Sequence, residues 1–303
     1  MTLVIAHKSN NHISLSSDSR ITFEKSGYID FGVKVFSVPV KIYSPTCSET
    51  GINTLEYNYN IGLAVVGSAM NAYIVKESVY EFLQNLQYMP DRTSLSMDGI
   101  VRLIFKVYQK TSLDLGQILC EKGMCQLIFT GYCPKQKKIR VFKFSTKIEK
   151  FPIEPFFEEI LQSDGIEFFG TGKNEAEKIF QDNFSLQNYK ESIPLHIIRK
   201  VIQEGNIESV GGGLQYGEFN IDNKFKIYGI EDYELNPDGS FKGYLYKLRG
   251  INLYKDEFEQ GYDDFHIAYL FKCPFQDEIN NLLKYPMNEP QILGYADANP
   301  TYK

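Results

Sequence analysis

Histidine is scarce in this 303-residue chain. Four occur, His7, His12, His196 and His266, mostly far apart, which argues against a zinc site or a histidine-based catalytic triad. Any catalysis is expected to use something other than histidine. Cys47, Cys120, Cys125, Cys133 and Cys273 form an odd set without CxxC spacing, as expected of reduced thiols in a cytosol. No apolar run reaches the roughly 18 residues that a membrane span needs. Met1 leads straight into patterned sequence, without the basic region and apolar core of a signal peptide. A cytoplasmic protein with no membrane contact is therefore expected. A basic excess is missing too. The formal charge is −6, and binding phosphate backbones needs a cationic surface, so no nucleic-acid partner is expected.

What is present is ordinary globular material: 43% apolar and 23% charged residues, enough for one large domain or a domain with additions. Residues 3–7 (LVIAH) and 13–17 (ISLSS) predict two strands joined through the turn-forming SNNH. Further strands are predicted at 33–38 and 40–44, then an irregular polar stretch to about residue 60, then a buried strand at 61–67. Apolar residues at three- and four-residue spacing predict two amphipathic helices. The first carries Ala72, Val75, Val79 and Leu83; the second, capped by Ser96, carries Met97, Ile100, Val101 and Ile104. A hairpin (125–132 with 138–145), a strand ending at GTGK, a helix near Asn174 and one from Pro194 follow. After Gly211-Gly212-Gly213, LQYGEFNI and KFKIYGI alternate as strands. Helix pairs between blocks of antiparallel strands predict two packed sheets with helices outside: an α+β, four-layer α/β/β/α sandwich.

The second residue is where chemistry enters. Once Met1 is removed, Thr2 carries a hydroxyl and a free α-amine on one residue. That amine, with an ordinary pKa of ~7.7–8.0, serves as base for its own side chain and needs no histidine. Asp18 ends the second strand of a hairpin that returns toward the chain start. Lys34 opens KVF, a strand expected to run beside the first. An ammonium near the amine disfavours the amine's protonation, and a carboxylate beside the lysine holds it charged and in place.

Thr2, the SSDSR stretch around Asp18 and KVF from Lys34 together resemble the N-terminal nucleophile (Ntn) hydrolases of the proteasome β-subunit type, nearest in character to the bacterial branch (HslV and the ancestral β-subunit proteins). The resemblance runs in order over roughly residues 2–227. VVGSAMNA (65–72) resembles the family's strand-to-helix turn, which implies Gly67 as oxyanion donor. GTGKNEAEKI (170–179) is similar to the family's Gly-Ser-Gly turn, which implies a Thr171 hydroxyl on the terminal amine. ESVGGG (208–213) resembles the family's acidic-x-x-Ser-Gly-Gly run, with Glu208 at the acidic position and Gly211 where a serine is usual. The implied function is a threonine-type peptide or amide hydrolase without cofactor or metal. It would act on peptide or protein substrates as a homo-oligomer, with an ATP-dependent unfoldase as a candidate partner. An insertion (about 38–60) near the expected cleft and an extension (228–303), packed on the core or a neighbouring subunit, depart from the family. The extension is expected to hold a hairpin across NPDGS (236–240), a strand at 265–271 and a helix near 276–284.

Plainer readings exist for each residue. Asp18 also suits a turn, Lys34 a strand edge, and Gly67 the start of a helix. GTGK is not a phosphate loop, because Glu167 and Asn174 break that pattern. Two other functions stay open at this level: a non-catalytic proteasome-like subunit acting in assembly or partner binding, and a non-peptide amidase on the same fold.

Overall fold

Leu3–Ser9 is buried along almost its whole length, as expected of a strand covered on both faces. The computed structural model describes residues 2–10, 12–23, 27–45, 53–89, 95–147, 153–183, 191–253 and 269–283. In chain order these form β1 (Leu3–Ser9), β2 (His12–Asp18), β3 (Ile21–Phe23), β4 (Gly27–Ile29), β5 (Val35–Tyr43) and β6 (Leu55–Gly67). Then come α1 (Ala69–Leu83), β7 (Leu86–Gln87), α2 (Met97–Leu119), β8 (Cys125–Cys133), β9 (Lys138–Lys147), β10 (Glu154–Ile160) and β11 (Gly165–Gly170). Next are α3 (Lys173–Asn183), α4 (Ile193–Glu204), β12 (Leu214–Phe219), β13 (Phe225–Leu235) and β14 (Phe241–Leu248). β15 (Ile251–Asn252), β16 (Phe271–Lys272) and α5 (Gln276–Leu283) complete the described elements.

Two large sheets dominate. One runs β11-β1-β2-β12-β13-β14-β15, with β16 pairing β13; the other runs β10-β9-β8-β6-β5-β7. Three cores follow from strand alternation. Val75, Val79, Ile100 and Ile104 of α1 and α2 meet Leu63, Leu127 and Phe129 of the second sheet. Ala176, Ile179 and Leu195 of α3 and α4 meet Leu3 and Ile5 of the first, together with Phe275 beside α5. The alternate residues Val4, Ala6 and Leu15 join Val35, Ala64 and Ile128, so the third core draws on both sheets. The result is a mixed α/β fold. Among the described residues, no helix is long and apolar enough to cross a membrane.

Local signals mostly produce the elements they predict. Ser68 and Ser96 cap α1 and α2, each accepting a first-turn amide, and Gly205 ends α4 in the left-handed region at φ 67°. The departures are tertiary. The two strands expected at 33–38 and 40–44 are one, β5, which passes through Pro39 opposite Asn60. A proline fits there because β7 covers only Ile42 and Tyr43 on the outer edge, where no donor is required. The strand after Lys34 was expected beside β1. It lies in the other sheet, because both edges of β1 are already taken by β2 and β11. Part of the stretch expected to be irregular, residues 55–60, is strand, extending the β5–β6 hairpin, and β10 has no counterpart in the sequence reading.

In the extension, the hairpin across NPDGS forms between β13 and β14, and β13 runs through position 228 without a break. Of the expected strand at 265–271, residues 265–268 lie outside the described residues, as does residue 284 of the expected last helix.

Candidate active site

The β1–β2 hairpin pairs Val4 with Ser17, which brings Asp18 back to the start of β1. The Asp18 carboxylate is fully buried and collects five hydrogen bonds. On Oδ1 it accepts from the Thr2 hydroxyl (2.7 Å), the Leu3 amide (2.9 Å) and the Lys34 ammonium (2.9 Å). On Oδ2 it accepts from the amides of Arg20 and Gly211, both at 3.1 Å. A buried carboxylate survives only when paired and fully bonded, and this one is. Thr2 and Lys34 are themselves 2% and 5% exposed. Burial lowers the Lys34 pKa below lysine's usual 10.5, while the Asp18 carboxylate opposes the shift.

Gly170 explains why β11 can lie against Thr2. Its φ is +95°, and a Cβ there would sit 2.0 Å from the Thr2 carbonyl oxygen, so only glycine fits. The next residue, Thr171, is a hydroxyl neighbour of Thr2: its Oγ1 lies 3.5 Å from the Thr2 carbonyl oxygen and 2.8 Å from Ser209 Oγ. Gly67 lines a recess of about 30 Å³ together with Thr2, Lys34 and Val65. Tyr73 closes that recess, its hydroxyl donating to the Val33 carbonyl at 2.9 Å. A larger cleft of about 470 Å³ begins at Gly67 and Thr171 and passes Glu167 to Lys143 and Lys173.

The structure thus gathers Thr2, Asp18 and Lys34 on one carboxylate, with Gly67 and Thr171 beside them. Glu208 stands apart. It is exposed, and its contribution is a backbone carbonyl that accepts from Arg20 Nη1 at 3.1 Å. Sequence reasoning missed four partners. Ser209, rather than a serine at 211, supplies the hydroxyl beside Thr171. Gly211 gives an amide to Asp18. Arg20 is clamped by both oxygens of Asp30, at 2.7 and 3.0 Å. Gln215 bonds the backbone on both sides of the site. A glutamine in a strand buried along its whole length was the available signal.

As for metals, His12, Glu191 and Glu218 offer ligand atoms within 4.8 Å of one another. Glu218 is, however, already bonded by His12 Nε2 (2.8 Å), the Tyr216 hydroxyl (2.5 Å) and the Lys272 ammonium, so its charge is met without an ion.

No protein-family model matches the sequence, and no curated protein matches it. Solved structures do match. An ancestral β-subunit (Anbu) protein from Yersinia bercovieri aligns with TM-score 0.51 and 14% identity, over 74% of this chain and 86% of that one. The Gly-1 mutant of Anbu from Hyphomicrobium sp. strain MC1 aligns with TM-score 0.52 and 14% identity, over 75% and 87%. The Anbu complex from Pseudomonas aeruginosa, described as a helical assembly, aligns with TM-score 0.52 and 13% identity, over 75% and 85%. The chain has the fold of ancestral β-subunit proteins. At this identity the likeness concerns the fold alone. Within that fold the buried Asp18 junction sits where β1 starts and β2 ends, next to the start of β12.

Proposed function

We propose that the chain is a threonine-type amide hydrolase of the N-terminal nucleophile class, with Thr2 as nucleophile after removal of Met1. The four-layer α/β/β/α sandwich of that class is the scaffold of this reading. One observation carries it: the Thr2 hydroxyl and the Lys34 ammonium meet on a single buried oxygen of Asp18. In the processed chain the free amine of Thr2 takes the hydroxyl proton as Oγ1 attacks the substrate carbonyl carbon. The Gly67 amide stabilises the oxyanion that forms. The terminal ammonium so formed then protonates the leaving amine as the C–N bond breaks, leaving an ester on Thr2. Water, deprotonated by the same amine, attacks the ester, releases the acid and restores the hydroxyl.

In this reading Lys34, held by Asp18, keeps the terminal amine basic. Thr171 and Ser209 fix the Thr2 backbone, and Glu208 contributes through its carbonyl on Arg20. Peptides or proteins are the substrate class, the cytoplasm the location, a homo-oligomer the working form and an ATP-dependent unfoldase the candidate partner. The helical assembly of the Pseudomonas aeruginosa protein supports self-association.

A second reading, a non-catalytic subunit, is favoured by one feature. While Met1 remains attached, the Thr2 nitrogen is an amide and cannot act as a base, and the buried hydroxyl is held by Asp18. Intact-mass measurement of untagged protein separates the two. The first reading expects loss of one methionine and hydrolysis of a fluorogenic peptide amide. Thr2→Ala abolishes that hydrolysis, while Thr2→Ser retains part of it. A fully processed protein without hydrolysis, or an active Thr2→Ala variant, overturns it.

A further inference from the structure

Gln215, on β12, is 1% exposed. A buried primary amide is costly unless its donors and acceptor are matched. Here all are. Oε1 accepts from the backbone amides of Lys34 (2.9 Å) and Val35 (3.2 Å). Nε2 donates to the carbonyls of Gly32 (2.7 Å) and Asp18 (3.3 Å). Swapping the nitrogen and oxygen would set donors against donors and acceptors against acceptors, so the amide has one orientation.

These four bonds do a specific job. Residues 31–34 belong to no strand or helix, so no ladder holds the Lys34 backbone before β5 starts. Its carbonyl accepts from the Val65 amide at 3.0 Å, and its amide is held by Gln215. The same side chain holds the Asp18 carbonyl. Asp18 belongs to one sheet and Lys34 leads into β5 of the other, and Gln215 bonds the main chain of both.

The geometry points to Gln215 as a positioning residue that sets the distance between Asp18 and Lys34, a role that nothing in the local sequence around either residue supplies. The inference rests on the threonine-hydrolase reading for its catalytic consequence, though not for the geometry itself.

The test uses full-length, untagged protein with Gln215→Met and Gln215→Glu variants and two readouts. The first is the titration of the Lys34 ε-carbon by carbon-13 NMR, which needs no catalysis. In the wild type, burial holds this titration below the usual lysine range. In Gln215→Met the freed loop admits water and the titration moves up toward that range. The second is hydrolysis of a peptide amide between about pH 5 and 9. Gln215→Met loses about 100-fold in kcat, the scale expected of an ångström-sized misplacement, with little change in KM. Gln215→Glu discriminates further. Protonated, its carboxyl still accepts from Lys34 and donates to Gly32. Ionised, it opposes two carbonyls, so its activity relative to wild type falls as pH rises. A merely structural glutamine would lower the melting temperature and leave the Lys34 titration and that pH ratio unmoved, and this result overturns the inference. Should Gln215→Met fail to fold, Gln215→Glu at low pH carries the test. A processed wild type without hydrolysis strikes the enzyme reading alone, because the Lys34 titration still decides the role of Gln215.

Discussion

Thr2 and Lys34 meet on one atom: the threonine hydroxyl at 2.7 Å and the lysine ammonium at 2.9 Å both bond Oδ1 of Asp18. Neither residue lies in the same strand as Asp18, and all three are buried. A proton donor, a cation and an anion in one dry site are worth far more to each other than in water. The consequences of removing each are unequal.

Asp18→Asn leaves the Lys34 ammonium buried without its carboxylate and replaces one acceptor oxygen by an amide donor that faces the donors around it. The expected cost is about 3 kcal/mol of stability, together with loss of hydrolysis. Lys34→Met also abolishes hydrolysis but costs less stability, because Thr2, Leu3, Arg20 and Gly211 still donate to the carboxylate. Urea melts of both variants at pH 7 check the order. Equal losses would mean that the remaining donors do not compensate the charge.

Gly170→Ala is expected to destabilise by about 3 kcal/mol or more, since it combines a left-handed φ with a contact on the Thr2 carbonyl. Gly99→Ala is the control. It sits exposed in the first turn of α2 with nothing within 4 Å of the added methyl, and should stabilise by about 0.5 kcal/mol. Melting temperatures that move in the same direction for both would contradict the close approach of β11 to Thr2.

His7 gives the stability a pH dependence. Burial first, then the neighbouring His12, lowers its pKa from 6.5 to about 4, with Asp164 opposing. The folded state therefore keeps His7 neutral where the unfolded chain binds a proton. Stability is full above about pH 6.5 and falls as the pH drops toward 4, by on the order of 3 kcal/mol over that window. Thermal melts from pH 7 to 4.5 should show this slope, and His7→Gln should flatten it. An unchanged slope in that variant would assign the acid loss elsewhere.

Assembly is the last expectation. Phe23, Tyr28, Ile29 and Phe31 stand about half exposed on and beside the β3–β4 hairpin, an apolar group larger than a solvated hairpin requires. Light scattering at micromolar concentration should give a mass well above the 34.9 kDa of one chain. The double variant Phe23→Glu/Phe31→Glu should lower that mass. A wild-type monomer with full hydrolytic activity would remove the need for association.

Much of the framework was legible because its causes are local. Alternation placed β1, β2, β8 and β9, and three- and four-residue spacing placed α1 and α2, since burial on one face imposes those periods. Ser96 and Pro194 marked helix starts, the one by satisfying a first-turn amide and the other because no amide is needed there. Pro39 misled, splitting β5 in two, because a proline breaks a central strand but not an open edge, and edge position is invisible in the chain. β10 was lost because EPFFEEI shows no clean alternation: only Pro155 and Ile160 are buried, and Glu158 and Glu159 find cations on β9.

By itself, the sequence determined the residue types that could meet at the start of the chain, Thr2, Asp18 and Lys34, and the turns that return Asp18 to Thr2. A hairpin is a short-range object, closed by its own turn and alternation. Only the tertiary structure decided that Lys34 arrives from the other sheet, that Ser209 rather than position 211 bears the hydroxyl beside Thr171, and that Gln215 ties the two sides together. Those contacts join residues as much as 197 positions apart. They exist because two sheets share an apolar core, and within such a core every buried polar group must find its partner wherever the packing has placed it.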